Sequence, residues 1–531
     1  MSSAYLEQKA QFQKNYLSTA TTGRGGKQEE VRTSPLFSLA VKHIVDPVCD
    51  DKNSRPSCKK ADTPSTTIPG VSSNQAAPVL PQYGLLGFHI GDSSTIGHNE
   101  PIMMNVNAPN SVFICGSQGS GKSYTLSALL ENCLLNDKTV GELSQPVAGV
   151  VFHYDVDSSE SIAEVANLCS RGIEVNVLVS HSNERALREA YGRVGSTKTR
   201  KPKIRPLLLR SSDLSIDCMN RLMAFGEKVG PVPLYMEVVQ RILRQMAIKG
   251  QEVFDYKHFR LLLDGEELTR DQTGPMNLRF SLLESFMHPT DLPILSGVWR
   301  PPAPPSKKKN KSQENLFDLK PGTLTIIDLS DTFIDSSTVC ILFEICLGLI
   351  KSHGPPAGLV VALDEAHKFL SSSSSSAAAS SFTERLLTTI REQRHNATRV
   401  IIATQEPSID ARLLDLCSVS IVHRFSSPAW FAAMREHLGG ASRMIVGRKK
   451  GGDADGEEEE QEGLFEKILD LDVGESLVFC PQAFVRVEEV GQGTEVRKLG
   501  ARAMKMKTRA RLGVDGGVSL LASRAKTGLN V

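Results

Sequence analysis

The sequence predicts an α/β fold: a mostly parallel sheet with helices on both faces, a helical insertion and disordered tails. Three observations predict it. Short apolar runs alternate with stretches of helical periodicity between residues 81 and 496. One unit, "SVFICGSQGSGKSYTLSALLENCLL", reads as strand, glycine loop and helix in immediate succession. A later apolar run, "GLVVALDE", ends in paired carboxylates, as strands of parallel sheets do where they deliver chemistry to the sheet edge.

Taken in order, residues 1–80 are rich in Ser, Thr, Pro, Lys and Gln without sustained periodicity and are expected to form a disordered tail. Order is expected to begin at "YGLLGFHIG" (83–91), followed by the strand–loop–helix unit and by the strand "VAGVVFHYDVDSSES" (147–161). "EVNVLVS" and "IRPLLLRSSDL" supply two more strands, and a helical insertion spans about 215–290, where "PLYMEVVQRILRQMAIKG" is amphipathic. "GTLTIIDLS", "GLVVALDE" and "TRVIIATQ" complete the strands. Three inserts, 300–312, 371–381 and 451–463, have linker or low-complexity composition and are expected to be flexible. Residues 497–531 carry nine basic residues against one acidic and are expected to form a basic tail.

Composition excludes several classes. Of the 531 residues, 40% are hydrophobic and 23% charged, with a formal net charge of +1. That is an ordinary globular balance, so any attraction to a polyanion must come from local patches. The longest apolar run, 339–350, is interrupted by Glu344 and is shorter than the roughly 20 residues that cross a bilayer, so no membrane partner is expected. The start "MSSAYLEQKAQFQKN" lacks the apolar core of a secretory signal. Ten scattered cysteines without a CxxC pair predict reduced thiols in an intracellular protein, cytoplasm and nucleus both open.

"GSQGSGKS" (116–123) has the spacing GxxxxGK[ST]. In such a loop the glycines let backbone N–H groups turn inward around phosphates. Lys122 would reach the β and γ phosphates of ATP, and the Ser123 hydroxyl would bind Mg²⁺. Gly116, Ser117, Gln118, Gly119, Ser120, Gly121, Lys122, Ser123 and Tyr124 are the candidate nucleotide contacts. The following helix adds the positive end of its dipole. A glycine-rich turn with a chance lysine would contain the same residues; the strand before it and the helix after it favour the phosphate loop.

A phosphate loop needs a carboxylate for the metal and a group that activates water. "LVVALDEAHKFL" offers both: Asp364 as the Mg²⁺ ligand and Glu365 as the general base. A solvated acidic strand end is the plain alternative. "RVIIATQEPS" ends in Thr404 and Gln405, and Gln405 there could orient water or sense the γ-phosphate.

With these motifs in this order, the chain resembles the HerA–FtsK group of P-loop ATPases, nearest its HerA-like helicase or translocase branch. The residues that carry the resemblance are "GSQGSGKSYT", "VFHYDVDSSES", "PGTLTIIDLSD", "LVVALDEAHKFL" and "REQRHNATRVIIATQEPSIDARLL", spanning about 85–490 with the further stretch "VSIVHRFSSP". The resemblance implies a RecA-like core, a homo-oligomeric ring, often a hexamer, around DNA, and arginine fingers lent by the neighbouring subunit. By position, Arg391 and Arg394 are the finger candidates, and Asp155 or Asp157 matches the acidic position after the second strand. The family's usual "DPxGE" is "DVDSSE" here, so no role passes to Glu160. Only about 30 residues of ordered pattern precede the phosphate loop, so the family's amino-terminal barrel is expected to be vestigial at most.

"KTRKPKIR" (198–205), with five basic residues, and the tail from 497 are candidate phosphate contacts, although basic runs without interleaved aromatics are also ordinary solvated segments. The acidic insert (453–462), with seven carboxylates, could compete for them. The expected activity is that of an ATP-hydrolysing DNA motor. The alternative is an ATP-dependent switch or scaffold with slow or no turnover.

Overall fold

The computed structural model describes residues 24–47, 78–91, 96–156, 162–195, 200–215, 219, 234–248, 254–293, 315–355, 357–370, 376–438, 463–490 and 493–514. Its strands are β1 (Leu36–Ser38), β2 (Tyr83–His89), β3 (Pro101–Asn105), β4 (Ser111–Cys115), β5 (Gly141–Glu142), β6 (Ala148–His153), β7 (Glu174–Val179) and β8 (Lys203–Pro206). They continue as β9 (Thr323–Asp328), β10 (Leu359–Leu363), β11 (Thr398–Thr404), β12 (Val419–His423), β13 (Glu475–Phe479), β14 (Phe484–Val490), β15 (Gly493–Lys498) and β16 (Ala503–Thr508).

Half of this sixteen-stranded sheet is parallel, in the order β12-β4-β11-β10-β6-β9-β7-β8. Every residue of β4, β6, β10, β11 and β12 is buried, because helices cover both faces and neither face of a central strand meets water. Alternate residues therefore feed two separate cores. Phe113, Phe152, Val361 and Ile402 pack with the helices Ser336–His353 and Ala377–Arg391 on one face. Val112, Val151, Val360 and Ile401 pack with Leu126, Leu129 and Leu130 of the helix Lys122–Leu134 on the other.

The predicted helical insertion is present as Leu234–Ile248, Tyr256–Asp264 and Arg270–Ser285. The apolar run at 339–350 lies in Ser336–His353, a helix long and apolar enough to span a membrane by length and composition. Here Val339, Phe343, Leu347 and Ile350 are buried in the first core.

Three expectations need correction. The amino-terminal region is not wholly a disordered tail: residues 24–47 contain the helices Arg24–Arg32 and Leu39–Val45 on either side of β1. Phe37 of β1 is fully buried in a small third core with Val31, Val41 and Phe484. A three-residue strand is too short to register as periodicity, and its partners β3 and β14 lie far away in sequence. The low-complexity run 371–381 is likewise helical in its second half, where Ala378 and Ala379 are buried in the helix Ala377–Arg391. Alanine is a strong helix former, and the packing supplies what the composition lacked. Finally, the basic stretch from 497 is folded as far as 514, with β16 pairing between β13 and β2. The inserts at 300–312 and 451–462, and residues 515–531, lie outside the described residues.

Beyond β12 the sheet becomes a largely antiparallel wing, β13-β16-β2-β3-β1-β14-β15, with β5 added on β2. It is built from both ends of the chain. Counting the residues ahead of the phosphate loop found only part of it, because β13 to β16 come from the last sixty.

Candidate active site

The buried strand β4 runs directly into the glycine loop and the helix Lys122–Leu134. Gly119 and Gly121 have φ of 73° and 112°, a left-handed geometry that glycine alone adopts without strain. Gly116 is required for space: a Cβ there would lie 2.6 Å from His423 Cβ. The tip of the loop is held by its neighbour, since Ser117 N–H and Oγ–H both donate to the Arg424 carbonyl at 2.9 Å. Gln118 and Gly119 are exposed at the mouth, while Ser120 and Lys122 are buried.

Lys122 Nζ donates to the Ser117 carbonyl at 3.0 Å, across the loop that it closes. Burial pulls its ammonium below the ordinary lysine range, and the charges of Glu365, Cys115 and Asp364 oppose that pull. The carboxylates that would accompany a nucleotide are thus already within electrostatic reach of the loop cation.

Parallel strands put their carboxyl ends on one edge, and there the predicted residues meet. Asp364 and Glu365 follow β10, Gln405 follows β11, and the loop follows β4; β11 pairs with both other strands. Gln405 Nε2 donates to Glu365 Oε1 at 2.9 Å. Glu365 itself sits at φ 51°, ψ 45°, an unusual conformation for a non-glycine residue and one that concentrates at functional sites. Its Oε2 is buried without a hydrogen-bond partner among the described residues.

Two histidines that the motif reading did not single out line the same place. His367 Nδ1 accepts the Gln405 N–H at 3.4 Å and lies 3.5 Å from Glu365 Oε2. Burial holds this imidazole below its usual range, against the pull of Glu365 and Glu406. The buried His153, last residue of β6, has Nδ1 3.3 Å from Asp364 Oδ2. Burial pulls its imidazole down, but Asp328, Asp364 and Asp155 outweigh that and push it up to about 9. His367 was legible as the fourth letter of "DEAH"; nothing in its spacing marked His153.

Asp155 is placed at the rim, where it accepts an ion pair from Lys368 at 2.6 Å; Asp157 and Glu160 lie outside the described residues. Arg391 and Arg394 are not at this site. Both are exposed, ending the helix Ala377–Arg391 and entering the turn that precedes β11. That is the opposite end of a seven-residue strand from Gln405, about 20 Å away at roughly 3.3 Å per residue. Neither can serve the phosphate loop of its own chain.

The metal position passes a chemical test. The donors on offer, the Ser123 hydroxyl and the Asp364 carboxylate, are hard oxygens of the kind that hold Mg²⁺, and the buried, unpartnered Glu365 oxygen beside them would gain a partner in a metal-bound water.

No family model and no curated protein matches the chain. Solved structures similar to it include VirB4 of Thermoanaerobacter pseudethanolicus, at TM-score 0.45 and 10% identity, covering 80% of this chain and 98% of that one. The bacterial conjugative coupling protein TrwBdeltaN70 is similar at TM-score 0.35 and 11% identity, over 83% of this chain and 97% of that one. The genome packaging NTPase B204 from Sulfolobus turreted icosahedral virus 2, in complex with ATP-gammaS, follows at TM-score 0.29 and 10% identity, over 74% and 98%. With its phosphate loop after β4, its glutamine after β11 and its acidic pair after β10, the chain has the architecture its motifs foretell, a mostly parallel α/β sheet with a phosphate loop and the candidate site residues at one edge.

Proposed function

We propose that the protein hydrolyses ATP with Mg²⁺ and uses the turnover to drive a motor acting on DNA. The observation that carries the reading is the convergence of Lys122, Asp364, Glu365 and Gln405 on three adjacent strand ends. The loop N–H groups and Lys122 would bind the β and γ phosphates, and Ser123 and Asp364 would hold Mg²⁺, which when bound would supply neutralising charge to the phosphates. Glu365 accepts the proton of the water that attacks the γ-phosphorus, releasing ADP and inorganic phosphate. Gln405, in reach of Glu365, orients that base.

Ring assembly is part of the proposal. Arg391 and Arg394 face outward at the sheet edge remote from their own loop, which suits a cation lent to a neighbour's site. An intracellular setting fits the described cysteines, all of them unpaired. The alternative is an ATP-dependent switch or scaffold with slow or no turnover.

ATPase measurement with and without duplex DNA tests both readings. Stimulation by DNA supports the motor; slow turnover indifferent to DNA favours the switch. Unchanged ATP affinity in Lys122→Ala would refute the site itself.

A further inference from the structure

The phosphate loop rests on the antiparallel wing, and we propose that a buried relay, Thr508 to Thr125 to His423 to the Glu475 carbonyl, holds the loop in its nucleotide-binding shape. The inference rests on the reading of residues 116–124 as an ATP site and assigns three positioning residues to it, none of them within the loop motif.

His423, the last residue of β12, is fully buried beneath the loop. A Cβ on Gly116 would meet its Cβ at 2.6 Å, and one on Gly121 would approach its Cε1 to 3.6 Å, so the ring spans the underside from first glycine to last. Its Nδ1 lies 2.8 Å from the Glu475 carbonyl oxygen and its Nε2 3.0 Å from Thr125 Oγ1. Thr125 stands in the first turn of the helix Lys122–Leu134, and its Oγ1 is 2.9 Å from Thr508 Oγ1 at the end of β16.

Chemistry orients the chain of bonds. A carbonyl only accepts, so Nδ1 carries the proton. Burial pushes the imidazole down to about 4, so the ring is neutral and Nε2 is an acceptor. Thr125 must then donate its single proton to Nε2, which leaves Thr508 to donate to Thr125. Each group has one role, and the helix that carries Lys122 and Ser123 is thereby pinned to β12, β13 and β16 together.

A backbone path runs beside the side-chain relay. Gly474 N–H donates to the Ser120 carbonyl at 3.1 Å, and Thr508 N–H donates to the Gly474 carbonyl at 3.0 Å. A Cβ on Gly121 would come within 3.0 Å of Gly474, so the two glycines meet face to face. Thr508 thus supports the loop at two points, although it lies 385 positions after Ser123.

Paired substitutions at Thr125 and Thr508 separate hydroxyl chemistry from packing. Valine keeps the shape and deletes the hydroxyl; serine keeps the hydroxyl and deletes the methyl. Purified full-length variants are titrated with the non-hydrolysable analogue AMPPCP, and KM and kcat are measured with ATP. Thr125→Val and Thr508→Val should each bind about 10-fold more weakly, because a buried acceptor is left unpaired. Their KM should rise while kcat at saturating ATP stays within about twofold, the signature of lost uniform binding. Thr125→Ser and Thr508→Ser should bind within about twofold of the parent. If Thr125→Val fails to fold, Thr508→Val at the strand end carries the test with its serine counterpart. Any result in which the valine variants do not fall below the serine variants overturns the relay. Normal affinity in Lys122→Ala would instead overturn the ATP site, so the two failures are distinguishable.

Discussion

Gln405 Nε2 donates to Glu365 Oε1 at 2.9 Å, so the residue that follows β11 holds the carboxylate that follows β10. The bond joins two motifs forty positions apart and gives each a distinct expected phenotype. Glu365→Gln should retain ATP and Mg²⁺ binding while turnover falls by at least about 10²-fold, since an amide cannot accept the proton of water. Gln405→Ala leaves the base chemically intact but no longer oriented, and should lower kcat by about 10-fold to 10²-fold at near-parental ATP affinity. Steady-state kinetics with parallel binding titrations check both. Parental turnover in Glu365→Gln would place the base elsewhere.

Arg509 and Glu131 make a second long-range pair with a structural outcome. Their side chains are 3% and 0% exposed, with Nη1 and Oε2 2.8 Å apart. The carboxylate also accepts the N–H groups of Leu512 and Gly513, at 3.0 and 2.9 Å. Arg509→Met would leave a buried carboxylate without its cation and should destabilise the fold by about 3–5 kcal/mol. Replacing both partners, Arg509→Met with Glu131→Gln, should recover part of that loss, because no unpaired charge remains and the amide oxygen can still accept from the backbone N–H groups. Urea denaturation of the single and double variants is the measurement.

The carboxy-terminal basic stretch divides at 514. Residues 497–514 include β16, Arg509 and Arg511, whose guanidinium lies 4.2 Å from the centre of the Tyr124 ring beside the phosphate loop. Truncation after 496 should therefore unfold or inactivate the protein whatever its polymer. Truncation after 514 removes Arg524 and Lys526 and should leave ATPase activity without DNA intact. If those two residues contact phosphates, the slope of log affinity against log salt should flatten by about 2. An unchanged slope would make them ordinary solvated charges.

If Arg391 or Arg394 serves a phosphate loop, that loop belongs to another subunit, so the test of the proposed ring is a mixing experiment. Arg391→Ala should bind ATP and assemble normally but hydrolyse slowly, since a finger supplied in trans contributes on the order of 10³-fold or more. Lys122→Ala has the converse defect. After confirmed subunit exchange, mixtures of the two should regain part of the parental rate at interfaces that join an intact loop to an intact finger. Arg394→Ala, mixed in the same way, identifies which arginine acts. No recovery would exclude a trans finger at both positions.

The sequence by itself determined the residues of the candidate site. Loop chemistry is local: Gly119 and Gly121 need left-handed backbone, Lys122 must open the helix, and β4 must precede them, all within fifteen residues. Asp364, Glu365 and Gln405 were equally legible, because each ends a continuous apolar run and parallel strands bring such ends to one edge. What only the tertiary structure decided is what holds that constellation in place. His153 against Asp364, His423 beneath Gly116, and Thr508 and Arg509 against the phosphate-loop helix join segments that local periodicity cannot connect. The same limit concealed the wing: β1 is three residues long and pairs with β3 and β14, so its place follows from burial against distant strands. Backbone conformation and hydrophobic period are written within a turn or a strand, whereas burial and the pairing of polar groups depend on which strands become neighbours.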